Sequence, residues 1–497
     1  MPSETSKLYL EHLLASSLSE LKLTSHLDRS PDITVPDQRF GDYATNVSLI
    51  LAKKLKVAPP EVAQKISEAV QKIDAKKVFA EVTVAGGFIN FRLSQEYLSG
   101  NLNKILEQGD LFGCSITGQG KSVVVEYFQN NVAKPPHVGH LRSAVIGDCL
   151  LRILKSQGFK AVSDTHIGDW GTQFGILIWA YKHLEGDKIV ASHPADYITA
   201  LNRLYVDANT MIENKEELRE QAKQEFAKLE KGDTENRRLW QKFVDLSLGD
   251  FERYRQLLEV LPFGHNMGES FYEDKMPGVL SDLKLKGLLV ESQGAQIVDL
   301  EDKKLGVAVL VKSDGATTYL LRDLATVKYR LGEMHISKAL YVVDNRQSHH
   351  FDQVFEISAR AGYITDPAAV QHVDFGFMSL PEGAISTRKG TTVSLQNLFD
   401  EAEKRALKII EAKNPELENK NAVARLVALA AIKYFDLSHN RKTEIVFTWD
   451  KALSFEGNTG PYLQYTHARI HGILRKAAGN RQQGTGNRAC SLIPHAS

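Results

Sequence analysis

Apolar positions along the chain change their period several times, and each change marks a different kind of structure. In "YLEHLLASSLSELKL" (9–23) and "PPEVAQKISEAVQKI" (59–73) they recur at the spacing of one helix face, whereas "EVTVAGGFINFRLS" (81–94) alternates like a strand broken at Gly86 and Gly87. Residues 1–115 therefore read as a small α+β unit, followed by the polar, glycine-containing linker "EQGDLFGCSITGQGKS". From Lys121 short apolar runs alternate with helical patterns: "SVVVEYF" (122–128) is a buried strand and "LRSAVIGDCLLRILKSQG" a helix closed by Gly158. "FKAVSDTHIGDWG" supplies a second strand and turn, "KALYVVD" a third and "AAVQHVDFGFMSL" a fourth. Strands alternating with helices predict a parallel sheet covered on both faces, with ligands at the carboxyl ends of its strands.

Two stretches break this alternation. Between Ala195 and Leu261 the pattern is helical and dense in charges of both signs at three- and four-residue spacing, which predicts a solvated helical insertion. After Gln396 the chain turns all-helical, with bundle-like apolar stripes in 397–413, 421–440 and 460–479. The end, "NRQQGTGNRACSLIPHAS", has almost no periodicity and follows the last acid, Glu456, so residues 479–497 read as a disordered basic tail. The expected fold is α/β: a Rossmann-like parallel-sheet domain (116–395) with a helical insertion around 195–261. A small α+β domain (1–115) precedes it, and an incomplete all-α helical bundle (396–478) follows.

Composition narrows the class. Of 497 residues, 61 are Lys or Arg and 61 are Asp or Glu, so an RNA site would have to be a local patch rather than a property of the whole surface. Cys114, Cys149 and Cys490 are isolated, which argues against a zinc ribbon and for a reducing compartment. The N-terminus has no uninterrupted apolar core and no window reaches a membrane span, so a cytosolic location, away from membranes, is expected.

The stretch richest in chemistry is "NVAKPPHVGHLRS" (131–143). Zinc needs three or four ligands, and His137 and His140 supply two without a cysteine cluster to complete them; no metal site is expected. A core role sits poorly with Pro135, Pro136 and Gly139, which form a turn after a buried strand. The third reading follows from position: a tight turn into a helix brings free N–H groups and a positive dipole end to the sheet edge. Gly139 lets a flat ring or phosphate approach, and two imidazoles can donate to a phosphorus centre. "ISTRKGTTVSL" (385–395), with Arg388 and Lys389 beside Gly390, looks like a cationic loop able to close on pyrophosphate. Together they point to nucleotidyl transfer.

With these residues in view the chain resembles the arginyl-tRNA synthetases, class I aminoacyl-tRNA synthetases, over residues 5–478. "RFGDYATNVSLILAKKL" and "GGFINF" look like the family's N-terminal tRNA-contacting domain, and "VEYFQNNVAKPPHVGHLRSAVIGD" like its ATP signature. "HIGDWGTQFG" resembles a run almost private to the family, and "EGNTGPYLQYTHARI" the entry to its anticodon-binding helices. The resemblance implies that L-arginine, ATP with Mg²⁺, and tRNA(Arg) are the partners, with a monomer expected. It implies that His137, Gly139, His140, Ser386, Arg388 and Lys389 serve ATP. Glu126, Tyr319 and Asp323 would face the guanidinium, Asn131 and Gln347 the amino and carboxylate end. Such a pocket suits a permanent planar cation. Most of the rate would come from positioning and charge stabilisation, and tRNA is expected to be needed for arginine activation.

Two departures from the family pattern matter. The usual Lys-Met-Ser start of the loop is replaced by Ala384 and Ile385 before Ser386, so Lys134 is expected to supply the missing cation, with Lys389 second. The C-terminal bundle looks cut short, which predicts helices at 422–438 and 459–477 without packing partners, impaired stability and weak anticodon recognition. Two other readings fit the same motifs: another H-x-G-H nucleotidyl-transfer enzyme, or a truncated homologue that binds ATP or tRNA with little charging.

Overall fold

The computed structural model describes residues 5–482 apart from 28, 194–195, 214 and 380–393. The described residues form two compact units, one within 1–117 together with 156–158 and the other within 118–155 and 159–497.

The first unit runs α1 (Ser6–Glu20), β1 (Ile33–Thr34), β2 (Tyr43–Thr45), α2 (Val47–Leu55), α3 (Pro59–Ile73), β3 (Phe79–Ala85), β4 (Phe88–Leu93) and α4 (Gln95–Gln108). Its antiparallel sheet has the order β1-β2-β4-β3. Gly86 and Gly87, both at positive φ, are the two-residue loop that turns β3 into β4. A Cβ on Gly87 would meet the side chains of Leu49 and Pro59 at 2.6 and 2.9 Å, so this turn requires glycine there. Leu10, Leu14, Leu51, Ile66, Val70, Ile89 and Phe91 fill the core.

The second unit is built on β5 (Ser122–Glu126), α5 (Val138–Ser156) and β6 (Lys160–Asp164). An all-helical insertion follows: α6 (Gln173–His183), α7 (Gly186–Ala191), α8 (Tyr197–Glu213), α9 (Glu216–Glu230) and α10 (Thr234–Leu257). It has its own apolar core around Phe174, Ile178, Leu201, Leu204, Leu229 and Phe243, so its charges coat one face as the spacing predicts. Then come α11 (Met276–Leu285), β7 (Val290–Ser292), β8 (Ala295–Asp299), β9 (Val307–Val311), α12 (Tyr319–Lys328), a π-helical turn (Tyr329–Glu333), β10 (Lys338–Tyr341), α13 (Ser348–Arg360) and β11 (Val370–His372). The chain continues with β12 (Met378–Ser379), α14 (Leu395–Lys413), α15 (Lys420–Leu437), β13 (Ile445–Val446), α16 (Trp449–Ala452) and α17 (Gly460–Gln482).

The main sheet is parallel, in the order β11-β10-β5-β6. Its centre is buried on both faces: Val123 and Val125 pack with α5, α14 and α15, while Val124 packs with α11, α12 and α13. This is why β5 reads as a continuous apolar run rather than an alternating one. From β5 the chain steps outward to β6, and from β10 outward the other way to β11. The switch point therefore lies between β5 and β10, where a crevice opens at the strands' carboxyl ends.

Three expectations are corrected. The predicted fourth strand splits, because β11 ends at His372 and Met378–Ser379 pair instead with β13, parallel. The antiparallel sheet β7-β8-β9 lies within 290–311, a stretch for which no strand is predicted above. The helix at 422–438 does not lack partners: α15 packs against α14, and Ala424, Val427, Ala428, Ala431, Ile432 and Phe435 are buried in the main core. The helix at 459–477 has a partner too, since α17 packs against α15, but its Leu463, Ile470, Ile473 and Leu474 are each more than half exposed, as the predicted apolar stripe requires. No described helix is long and apolar enough to cross a membrane.

Candidate active site

At the switch point lies a cavity of about 600 Å³. Its lining brings together Glu126, Asn131, His137, Gly139, His140, Tyr319, Asp323 and Gln347, which are far apart in sequence. Glu126 ends β5, Asn131 follows in the next loop, and the histidines open α5. Tyr319 and Asp323 lie on the first turns of α12, and Gln347 stands just before α13. Asn131 forms a parallel bridge with Gly168, and a Cβ on Gly168 would collide with the Asn131 side chain. The first glycine of "HIGDWG" thus makes room for Asn131.

The histidine turn differs from the expectation in one respect. The N–H of Gly139 donates to Nδ1 of His137 at 3.0 Å, and the N–H of His137 donates to Nδ1 of His140 at 3.1 Å. The N–H of His140 is also taken, by the carbonyl of His137. These backbone donors are not free for a phosphate, because the imidazoles occupy them first. In return, with each Nδ1 accepting, the hydrogen of each neutral ring sits on Nε2. Burial, then Arg346 and Lys134, lowers the pKa of His137 to about 4, and burial, then His137, lowers that of His140 to about 3. The turn therefore offers two neutral donors. Gly139 is needed here because a Cβ would press on the His137 ring at 2.7–2.8 Å. The same turn is tied to the start of α14, where the N–H of Leu395 donates to Pro136 O at 3.1 Å.

Four acids also line the cavity, and most of them are paired. Glu126 lies 2.5 Å from Arg330, which also meets Asp164 at 2.6 Å, all three side chains buried. Asp344 pairs with Arg346 at 2.7 Å, and Glu269 stands 3.6 Å from Arg322. Burial pushes Glu269 up to about 7 against the pull of Arg322 and His166, and its Oε2 has no hydrogen-bond partner. Asp323 is flanked by His350 and His166. Burial opposes its ionisation, but the hydrogen bond from His350 and the nearby cations hold its pKa below the usual carboxylate value.

The other predicted residues fare differently. Lys134 does not line this cavity: its Nζ lies 5.4 Å over the Tyr205 ring of the insertion, and burial lowers its pKa. Ser386, Arg388 and Lys389 lie outside the described residues. Sequence reasoning missed Glu269, His166, His350, Arg330 and Arg346. Two signals were usable: His166 opens the "HIGDWGTQFG" run, and Glu269 stands in a polar "GESFY" turn ahead of a helix, whereas His350, Arg330 and Arg346 sit in patterns indistinguishable from a helix face or loop.

The chain is similar to known proteins over most of its length. Residues 101–449 match the model of the class I (R) tRNA synthetase catalytic domain, and residues 9–93 that of the arginyl-tRNA synthetase N-terminal domain. The arginine–tRNA ligase of Lactococcus lactis (strain IL1403) is 44% identical over 428 residues, 86% of this chain and 74% of that one. That of Streptococcus uberis is 45% identical over 445 residues, 89% and 77%. Among solved structures, the Thermus thermophilus arginyl-tRNA synthetase superposes with a TM-score of 0.73 at 26% identity, covering 99% of this chain and 84% of that one. The Plasmodium falciparum enzyme gives the same TM-score and identity, covering 96% and 82%. With a matched catalytic domain spanning most of its length and relatives this similar, the chain belongs to the arginyl-tRNA synthetase family, class I arginine–tRNA ligases.

Proposed function

We propose that the cavity between β5, α12 and α13 is where this chain activates L-arginine with ATP before passing it to the 3′ end of tRNA(Arg). The observation that carries the reading is its mixed chemistry: neutral Nε2–H donors of the histidine turn and the carboxylates of Glu126, Glu269 and Asp323 line one cavity. A planar guanidinium suits these carboxylates, with Asp323 and Glu269 as its acceptors and Tyr319 at the rim. Glu126 backs them, and Asn131 and Gln347 take the amino and carboxylate end. The substrate carboxylate then lies toward the histidine turn, where it attacks the α-phosphate of ATP. The bond to pyrophosphate breaks as the arginyl-adenylate anhydride forms.

Little of this needs a protein acid or base. Nε2–H groups of His137 and His140 would donate to phosphate oxygens as charge builds on phosphorus, and Gly139 would lie against the nucleotide. Arg346 adds a cation at the cavity wall. Lys134 would join it only by leaving the face of Tyr205, with Ser386, Arg388 and Lys389 as further phosphate contacts. The 2′-hydroxyl of the terminal adenosine then attacks the anhydride carbonyl, and AMP leaves. The described residues hold no group of three or more His, Cys, Asp or Glu that could bind a metal, so Mg²⁺ would ride on the phosphates of ATP. Its contribution is neutralisation of phosphate charge. We read the chain as a monomer acting in the cytosol.

ATP–pyrophosphate exchange with arginine, run with and without tRNA(Arg) beside a charging assay, tests this. Exchange and charging that require arginine and tRNA support the reading; exchange driven by another amino acid, or none, refutes it.

A further inference from the structure

Among the described residues, two arginines line the cavity, and they are held differently. Arg322 is enclosed, its side chain 8% exposed, with Glu269 at 3.6 Å and Glu273 at 3.4 Å. The side chain of Arg346 is 73% exposed and meets one carboxylate, that of Asp344 two residues before it. That pairing is bidentate: Nε lies 2.7 Å from Oδ1 and Nη2 lies 3.1 Å from Oδ2. The backbone N–H of Arg346 donates to Oδ1 as well, so both oxygens of Asp344 are engaged. Nη1, with two hydrogens, has no hydrogen-bond partner among the described residues. The guanidinium also stands 5.5 Å over the ring of Phe377, another lining residue. Asp344 is itself fixed, since it forms a parallel bridge with Phe375, and the N–H of Asn345 donates to Phe375 O at 3.0 Å. An exposed cation pinned on one side of its fork and open on the other is preorganised for an anion.

On the reading given above two anions enter this cavity, the carboxylate of arginine and the phosphates of ATP, and the surroundings of Arg346 favour the phosphates. Its charge is felt at His137, where it comes next after burial among the causes of the lowered pKa. Arg346 is therefore within electrostatic reach of the turn read as serving ATP, whereas Lys134 stays over Tyr205. We propose that Arg346 is a catalytic residue for adenylate formation: its free Nη1 edge binds non-bridging oxygens of the ATP phosphates and stabilises the charge that builds on them as arginine attacks. The inference rests on the reading of this cavity as the site of arginine activation. A bond forms between a carboxylate oxygen and the α-phosphorus, the bond from that phosphorus to the bridging oxygen breaks, and its electron pair leaves with pyrophosphate. No proton moves, and Arg346 stays charged throughout, as a guanidinium does. It supplies a fixed positive charge where the loop lacks its lysine ahead of Ser386.

The test is ATP–pyrophosphate exchange at saturating tRNA(Arg), with kcat and the KM values for ATP and for arginine measured separately in the wild type, Arg346→Gln and Arg346→Lys. R346Q should lower kcat about a hundredfold, the size expected for one lost transition-state donor, and raise the ATP KM. Its arginine KM should stay within about threefold of the wild type. R346K restores the charge without the fork and should recover about tenfold of the lost rate. An R346Q variant whose kcat and ATP KM stay within about threefold overturns the inference; a lower melting temperature alone would then mark a merely structural tie to Asp344. So does an arginine KM raised about tenfold with kcat and ATP KM unchanged, because the bound anion is then the carboxylate. An R346K variant no faster than R346Q overturns it too, since the charge would then contribute nothing. Should R346Q fold poorly for want of a partner to Asp344, R346K, which keeps a cation there, decides. A wild type that shows no exchange with arginine refutes the underlying reading, and the inference with it.

Discussion

Glu126 and Arg330 form an ion pair of 2.5 Å on the floor of the cavity, and neither side chain reaches solvent to any extent. A carboxylate that family resemblance assigns to the substrate's guanidinium is thus already met by one of the chain's own. Glu126→Ala would leave Arg330 with Asp164 alone, and stripping one partner from a buried pair typically costs about 3–5 kcal/mol. The melting temperature should fall by several degrees, checked by calorimetry; an unchanged melting temperature with a raised arginine KM would instead make Glu126 a direct substrate contact.

Glu269→Gln should separate stability from binding. Because burial raises this acid from 4.5 to about 7, the folded chain keeps a proton that the unfolded chain gives up between those values. Stability is therefore lost as pH rises through that window. The glutamine variant should melt higher than the wild type at pH well above 7, yet show an arginine KM raised about tenfold or more, since a charged acceptor is gone.

The two turn histidines give the opposite slope. With pKa values lowered from 6.5 to about 4 and about 3, the folded state declines protons that the unfolded chain accepts below 6.5. Stability should therefore fall as pH drops from 6.5 toward 4. His140→Asn should show a shallower fall in a melting series, and ATP-dependent activity of the wild type should carry no acid limb from these two rings near 6.5.

Lys134→Ala should slow adenylate formation about a hundredfold if this lysine supplies a few kcal/mol to the transition state. Pyrophosphate exchange reads this directly. A near-normal rate would mean that the side chain stays on Tyr205 throughout.

Asp436→Asn tests a second buried charge. Nε of Arg142, on the helix that begins with the histidine turn, lies 2.7 Å from Asp436 on α15, and the same guanidinium donates to Gly376 O and Thr443 O. Weakening this tie should destabilise the catalytic unit by about 3 kcal/mol and reduce pyrophosphate exchange, with hydrogen exchange rising in α5 and α15 together.

The sequence made the sheet and the histidine turn legible because both rest on local pattern: Val123 to Val125 must be apolar, and Pro136 and Gly139 must frame a turn. The charges beneath the site were not legible in the same way. Arg330 lies in "VKYRLGE", which reads as an ordinary helical face, and only the π-helical turn drives it under β5 and β6. His350 sits three residues after Gln347 and gives no hint of Asp323, 27 residues away in sequence. Likewise α15 looked unsupported because the bundle it belongs to reads as cut short, yet it buries its apolar face against α14 and the main core.

The exposed stripe on α17 bears on how a solution of the chain behaves. Its formal net charge is +0, so molecules lack the long-range repulsion that keeps many proteins apart. Leu463, Ile470, Ile473 and Leu474 meanwhile keep an apolar strip in contact with water. Sulfate, excluded from protein surfaces, makes wetted apolar area costlier. The chain should accordingly precipitate at low ammonium sulfate and hold to a phenyl column, and a double Ile470→Lys, Leu474→Glu variant should elute early.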